Sequence, residues 1–283
     1  MSAIDFLHDR FDQGHNDVAV AWRERTVTYG ELSAMVAEAG AALEQQQVSA
    51  GTAMLLAASF TPQAIAMLLA AFDRGAIVAV SDADEAQTVE SKAALSRPEV
   101  VVTVGESGDV SFERRSVAGP APELYETLRR REHAGLVLFS SGTAGTVKAA
   151  VHDVVALLAK YRRPRHRLRT LAFLRFSHIG GLDTLWYSLA NGSALVLADD
   201  RSPAAVCALI ERHRVEVLPA APSFLNLLAL GGAYRDHDLS SLRYVTYGAE
   251  MMPQATLDRC VEMFPGVQLL QKFGTLSTGR LEI

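Results

Sequence analysis

The chain has 283 residues, 49% hydrophobic and 21% charged, the composition of an ordinary globular protein with ample core. A formal net charge of −5 leaves no electrostatic case for nucleic acid as a partner. The N-terminus has charges and no apolar signal region, and the longest apolar stretch, Ala64 to Phe72, is far too short to cross a bilayer, so the expected location is the cytoplasm and no membrane partner is expected.

Val18–Trp22 and Thr26–Thr28 flank the polar Arg23-Glu24-Arg25 and predict a hairpin. The spacing of Leu32, Met35, Val36, Ala39 and Leu43 predicts a helix from about Gly30 to Gln46. From Ala53 onward compact apolar strands alternate with helices. The predicted strands are Met54–Ala58, Ile77–Val80, Val100–Val104, Leu136–Phe139, Leu171–Leu174, Ala194–Leu197, Val215–Leu218, Arg243–Tyr247 and Val267–Leu270. The helices between them include Pro62–Arg74, Pro203–His213, Ser223–Leu230 and Pro253–Met263, several opening on proline. This alternation argues for an α/β protein with parallel sheet covered on both faces. The polar segment Gly105–Glu123 is the expected boundary between a first lobe, 1–120, and a second, 121–283. Cys207 and Cys260 fall in helix-like segments and read as buried, reduced thiols.

The run Ser140-Ser141-Gly142-Thr143-Ala144-Gly145-Thr146-Val147-Lys148 follows the apolar Leu136–Phe139. Glycines let backbone N–H groups approach an anion, hydroxyls donate further hydrogen bonds and a lysine neutralises charge, which together describe a phosphate cradle. The glycine spacing is not that of a Walker loop, which argues against a kinase-like site. A surface turn would have the same composition. His178, in Phe176-Ser177-His178-Ile179-Gly180-Gly181, sits at a strand's exit, where an imidazole either meets a ligand or is satisfied locally. Tyr247-Gly248-Ala249-Glu250 is a strand-to-helix turn in which glycine either admits a flat ligand or only eases the turn. The basic run Lys160–Arg169 reads as a solvated loop after a helix that follows Lys148, or as a docking patch for an anionic partner.

These segments, in this order, resemble the adenylate-forming superfamily of acyl- and aryl-CoA synthetases, luciferases and peptide-synthetase adenylation domains. The loop 140–148 is similar to its phosphate signature, Ser/Thr-Ser-Gly-Thr-Thr/Ser-Gly-x-Pro-Lys, departing at Ala144 and Val147. Thr28-Tyr29-Gly30-Glu31-Leu32 resembles its T-Y-x-E-L motif, and Phe176–Gly181 its F-x-H-x-x-G segment. Phe273-Gly274-Thr275-Leu276-Ser277 resembles its Y-G-x-T-E segment, with Leu276 and Ser277 in place of the threonine and the Mg²⁺-binding glutamate.

The resemblance implies two stacked, mainly parallel sheets flanked by helices in five layers, α/β/α/β/α. It implies ATP bound by Ser140, Ser141, Gly142, Thr143, Gly145, Thr146 and Lys148. Gly248, Ala249 and Glu250 line the adenine and acyl pockets, and Phe273, Gly274 and Thr275 meet the adenine and phosphate. His178 and Lys148 carry catalytic roles, with no protein metal ligand and a weakened Mg²⁺ site at Ser277. The reaction implied is activation of a carboxylic acid as acyl-adenylate, for transfer to CoA or a carrier thiol. Ser177, where amino-acid-activating members place an aspartate, favours an acid without an α-ammonium group. The superfamily continues past the position of Ile283 into a further subdomain and a mobile C-terminal domain with a catalytic lysine, so reduced turnover is expected of these residues alone. A catalytically silent nucleotide- or acyl-binding module is the alternative.

Overall fold

The computed structural model describes residues 2–83, 86–117, 119–141, 147–248, 250–272 and 280–281. In chain order the strands are β1 (Val18–Trp22), β2 (Arg25–Thr28), β3 (Ala53–Ala58), β4 (Ile77–Ser81), β5 (Val100–Val104), β6 (Val110–Arg114), β7 (Gly135–Ser141), β8 (Val147–Asp153), β9 (Thr170–Ala172), β10 (Leu195–Leu197), β11 (Val217–Ala220), β12 (Tyr244–Tyr247), β13 (Gln268–Gln271) and β14 (Arg280–Leu281). The helices are α1 (Asp5–Gln13), α2 (Tyr29–Gln45), α3 (Pro62–Asp73), α4 (Ala86–Ser96), α5 (Glu123–Arg131), α6 (Val154–Leu158), α7 (Ile179–Ala190), α8 (Pro203–His213), α9 (Pro222–Gly231) and α10 (Gln254–Met263).

Two sheets result. The first runs β13-β12-β11-β9-β10-β1-β2, parallel except for the hairpin strand β2. The second runs β14-β8-β7-β4-β3-β5-β6, with β7, β4, β3 and β5 parallel, β6 and β8 antiparallel to them at the flanks, and β14 antiparallel to β8. The largest core cluster fills the space between the sheets, where α2, α3 and α7 bury Leu32, Leu43, Leu68, Phe72, Leu185 and Trp186. A second cluster joins the first sheet to α8, α9 and α10 through Val206, Ile210, Leu225, Leu228, Cys260 and Met263. A third joins the second sheet to α4 and α5 through Ala93, Tyr125 and Leu128. These are the five expected layers.

Local chemistry sets the joints. Thr28 and Glu31 form a reciprocal capping box on α2: Thr28 Oγ1 accepts from Glu31 N at 3.1 Å, and Thr28 N donates to Glu31 Oε2 at 2.7 Å. Between them Tyr29 is fully buried and donates its hydroxyl to Ser193 O at 2.8 Å. The T-Y-x-E-L motif is therefore a helix start tied to the first sheet. Thr61 and Ser202 cap α3 and α8 ahead of Pro62 and Pro203 in the first turns. Cys207 and Cys260 are buried free thiols, and burial pushes the Cys207 pKa up to about 11.

The sheets do not part at residue 120. Strand β6 lies inside the polar segment 105–123 and pairs with β5, while β7 and β8 beyond it complete the same sheet. The hairpin β1–β2 at the other end of the chain joins the first sheet through β10. No helix directly follows Lys148 either: it stands in β8, and the short α6 begins only after Asp153 caps it. The basic run that follows is anchored, with Lys160 on Asp183 at 2.8 Å, Arg167 on Asp17 at 2.9 Å and Arg162 stacked over Phe6. Among the described residues, no helix is long and apolar enough to cross a membrane.

Candidate active site

Parallel strands present ligand sites at their carboxyl ends, where loops leave the sheet. Strand β7 ends at Ser140–Ser141 and β8 begins at Val147, so residues 142–146 join the two arms of a hairpin. In its register Ser140 stands directly opposite Lys148. Cross-strand partners project to the same face. Alternation places that face on the inner side, with Leu136 and Leu138 of the central core. A hydroxyl and an exposed ammonium are thus paired at the rim of the inter-sheet space.

The carboxyl ends of the two sheets meet beside this rim. Asp82, just past β4, accepts from Arg175 Nη1 at 3.0 Å and from Ser177 Oγ at 2.9 Å, both on the segment leaving β9. Ser177 Oγ also lies 3.1 Å from His178 Nδ1. The hydroxyl has one proton, directed at Asp82, so the imidazole must donate from Nδ1 and keep its lone pair on Nε2. Partial desolvation pushes the His178 pKa below 6.5, and the positive charges of Arg175, Lys92 and Arg201 add to this against the opposing pull of Asp82. His178 is therefore a neutral acceptor near pH 7. It is also the N-cap residue of α7, without a side-chain cap bond, which leaves the ring turned outward at the surface. A cavity of about 180 Å³ opens next to Arg175 and Asp82, lined also by Arg23, Phe60, Asp199 and Arg201.

A second joint brings the ends of β12 and β13 to α7. A Cβ on Gly248 would lie 2.6 Å from the carbonyl oxygen of Lys272, so close backbone approach demands glycine there. Lys272 Nζ reaches Asp183 Oδ2 of α7 at 3.3 Å, and Asp183 also receives Lys160 and the Tyr161 hydroxyl. Burial raises the Asp183 pKa, but Lys272, Lys160 and Tyr161 outweigh it and hold the carboxyl below its ordinary value. Glu250 is exposed and accepts from Ser223 N and Ser223 Oγ, both at 3.1 Å, closing the first turn of α9.

Of the residues singled out from sequence, Ser140, Lys148, His178, Gly248 and Glu250 are thus placed, and Ser141 ends β7. Gly142, Thr143, Gly145, Thr146, Ala249, Phe273, Gly274, Thr275, Leu276 and Ser277 lie outside the described residues. Among the described residues, no group of three or more His, Cys, Asp or Glu is arranged to hold a metal ion. The sequence reading missed Asp82, Arg175 and Asp183. Asp82 carried a usable signal, being the first charged residue after an apolar strand's carboxyl end.

The model of the family described as AMP-binding enzyme matches residues 7–275. A p-hydroxybenzoic acid–AMP ligase, FadD22 of Mycobacterium marinum, is 26% identical over 95% of this chain and 41% of its own length. The 4-coumarate–CoA ligase-like protein 5 of Oryza sativa is 28% identical over 64% of the chain and 36% of its own length. The chain therefore spans well under half the length of these relatives. Among solved structures, the inhibitor-bound N-terminal domain of FACL13 from Mycobacterium tuberculosis superposes with a TM-score of 0.79 at 19% identity, covering 97% of this chain and 76% of that one. That likeness is one of fold. With the strand-exit hairpin, the two-sheet architecture and the family match over residues 7–275 in agreement, the chain belongs to the AMP-binding enzyme family.

Proposed function

We propose that this chain binds ATP and a carboxylic acid of acyl or aryl type and supports formation of the acyl-adenylate. The observation that carries the reading is the Ser140–Lys148 pair at the carboxyl end of β7. A hydroxyl and an ammonium on one face there suit the oxygens of a phosphate chain; residues 142–146 and 273–275, outside the described residues, enter the proposal through their sequence motifs alone. In the reaction a carboxylate oxygen attacks the α-phosphorus of ATP, the bond to the β-phosphate oxygen breaks and pyrophosphate leaves. Charge builds on the phosphoryl oxygens, where Lys148 stabilises it.

His178 stands one residue beyond Ser177, with its Nε2 lone pair facing outward, and orients the acid by accepting from a donor on it or through a water. Aryl acids lead as substrates, since two relatives are named for p-hydroxybenzoic acid and 4-coumarate. Ser177, buried and bonded to Asp82, offers no anion to an α-ammonium group. A serine hydroxyl at Ser277 fits a hard dication poorly, so no step is assigned to a protein-held Mg²⁺. CoA or a carrier thiol is the proposed acceptor. Leu276 and Ser277 favour one second reading, a module that binds nucleotide without turnover.

Calorimetric titration with MgATP tests the first half and pyrophosphate release with 4-hydroxybenzoate or 4-coumarate the second. Binding weakened by Lys148→Ala together with acid-dependent pyrophosphate release is the expected result. Binding without release selects the silent module, and no binding by the wild-type chain overturns both.

A further inference from the structure

The opposite edge of the second sheet holds a second cationic site, one the adenylation reading does not use. Strands β3 and β5 start there, and β6 ends there, since Val100 pairs with Arg114. Between this edge, the end of α4 and the start of α5 lies a cavity of about 370 Å³. Its wall carries four guanidinium groups, Arg97, Arg114, Arg115 and Arg129, against one carboxylate, Glu99, in a protein whose net charge is −5.

The four arginines are not equivalent. Arg115 is matched by Glu90 at 2.7 Å and Glu113 at 2.9 Å, and Arg129 by Glu126 at 2.6 Å, Glu99 at 3.5 Å and Gly51 O at 3.0 Å. Arg97 meets only the carbonyl oxygen of Pro120, at 2.6 Å, and Arg114 only that of Gln46, among the described residues. A carbonyl positions a guanidinium without neutralising it, so two positive charges at this wall have no carboxylate. Arg97 is held there in a left-handed backbone conformation, φ 49°, which a side chain of its size adopts rarely. Arg97 is partly buried, which lowers the rotamer freedom a ligand would have to freeze there, while Arg114 is exposed and steadied by its bond to Gln46 O. Tyr125, buried with its hydroxyl on Ser96 O at 3.0 Å, and Pro122 supply a rigid apolar flank.

We infer that this cavity binds a small phosphorylated anion, a phosphate or phosphomonoester, through Arg97 and Arg114. Guanidinium forks match two phosphate oxygens at once, and with Arg115 and Arg129 already neutralised by their carboxylates, Arg97 and Arg114 are the groups left to bind an anion. The site lies at the amino ends of the parallel strands whose carboxyl ends form the nucleotide rim, so it is separate from Lys148 and independent of the adenylation reading.

The probe is inorganic phosphate at ionic strength held constant with chloride, read by thermal unfolding of the whole chain. Ligand binding to the native state raises the midpoint with concentration. Wild type and Lys148→Ala should show the same rise. Arg97→Gln/Arg114→Gln should need about tenfold more phosphate for an equal rise, as expected when charged hydrogen bonds are lost. A general salting effect of phosphate would act on all three alike. Absence of a rise in wild type, its retention in the arginine variant or its loss in Lys148→Ala would each overturn the inference. Should the arginine variant fail to fold, Val117→Glu, which sets a carboxylate in the cavity wall and removes none of the arginine hydrogen bonds, takes its place with the same expectation.

Discussion

Both ends of the second sheet present cationic side chains, yet they are built differently. At the carboxyl end the cation is Lys148, exposed and placed by strand register opposite Ser140, while the surrounding charges bridge the two sheets through Asp82. At the amino end the cations are arginines tied to backbone carbonyls, Arg97 and Arg129 partly buried and Arg114 exposed. The first arrangement leaves a long cationic side chain in solvent, where the proposed phosphate contact needs it. The second fixes planar donors in advance. Parallel strands make such a division natural, because every strand start collects at one edge and every exit at the other.

Four measurements would break or sharpen this contrast. The largest effect is expected at the joint of the carboxyl end. A Cβ at Gly181 would collide with the main-chain oxygen of Arg175, and neither backbone can swing aside. Gly181→Ala should cost about 2–3 kcal/mol in urea unfolding and weaken MgATP binding with it. Lys148→Ala should reduce MgATP affinity by about ten- to a hundredfold in calorimetry, yet leave the unfolding midpoint unchanged, since the side chain is exposed. A matching loss of stability would show that the lysine holds the hairpin rather than the ligand.

At the amino end the expectation reverses. Tyr125→Phe leaves Ser96 O buried without its donor and should cost about 1 kcal/mol while MgATP binding stays intact. A loss of nucleotide affinity there would mean that the two ends communicate. The smallest effect concerns pH. His178 is depressed below 6.5, so the native state binds fewer protons than the unfolded chain, and stability present above that value is lost as pH falls. His178→Asn should make the decline in midpoint between about pH 7 and pH 5.5 shallower by about 1 °C. An unchanged slope would show that the ring is not desolvated.

Much of the fold was readable because its strands are continuous apolar runs and its helices open on proline or a capping threonine. Leu136–Leu138, Met54–Ala58 and Val100–Val102 have no polar face to confuse the period. Two of the elements missed have little to bury. Helix α5, Glu-Leu-Tyr-Glu-Thr-Leu-Arg-Arg-Arg, sinks only Tyr125 and Leu128, and β6 is an edge strand with exposed side chains, so neither has a strong periodic signal. The same limit applies at the site. Ser140 and Lys148 were legible as a local pattern, whereas the contact of Asp82 with Arg175 and Ser177 joins residues more than ninety positions apart and depends on how two sheets stack. Glu250 shows the converse: a residue noticed through its motif also does local work at the start of α9.

The path of the chain through the two sheets has a kinetic consequence. The second sheet draws β3 to β8 from one continuous stretch, 53–153, needing only the two-residue β14 from elsewhere. The first sheet must join β1, near the N-terminus, to β10, so Val20 finds Leu195 only after most of the molecule has been synthesised. Long-range closures of this kind slow folding, and an emerging chain meets them last. The second sheet should therefore acquire exchange protection first during refolding, with Ala19 to Ala21 protected in a later phase. Simultaneous protection in pulse-labelled hydrogen exchange would show instead that the hairpin is recruited before its sheet exists.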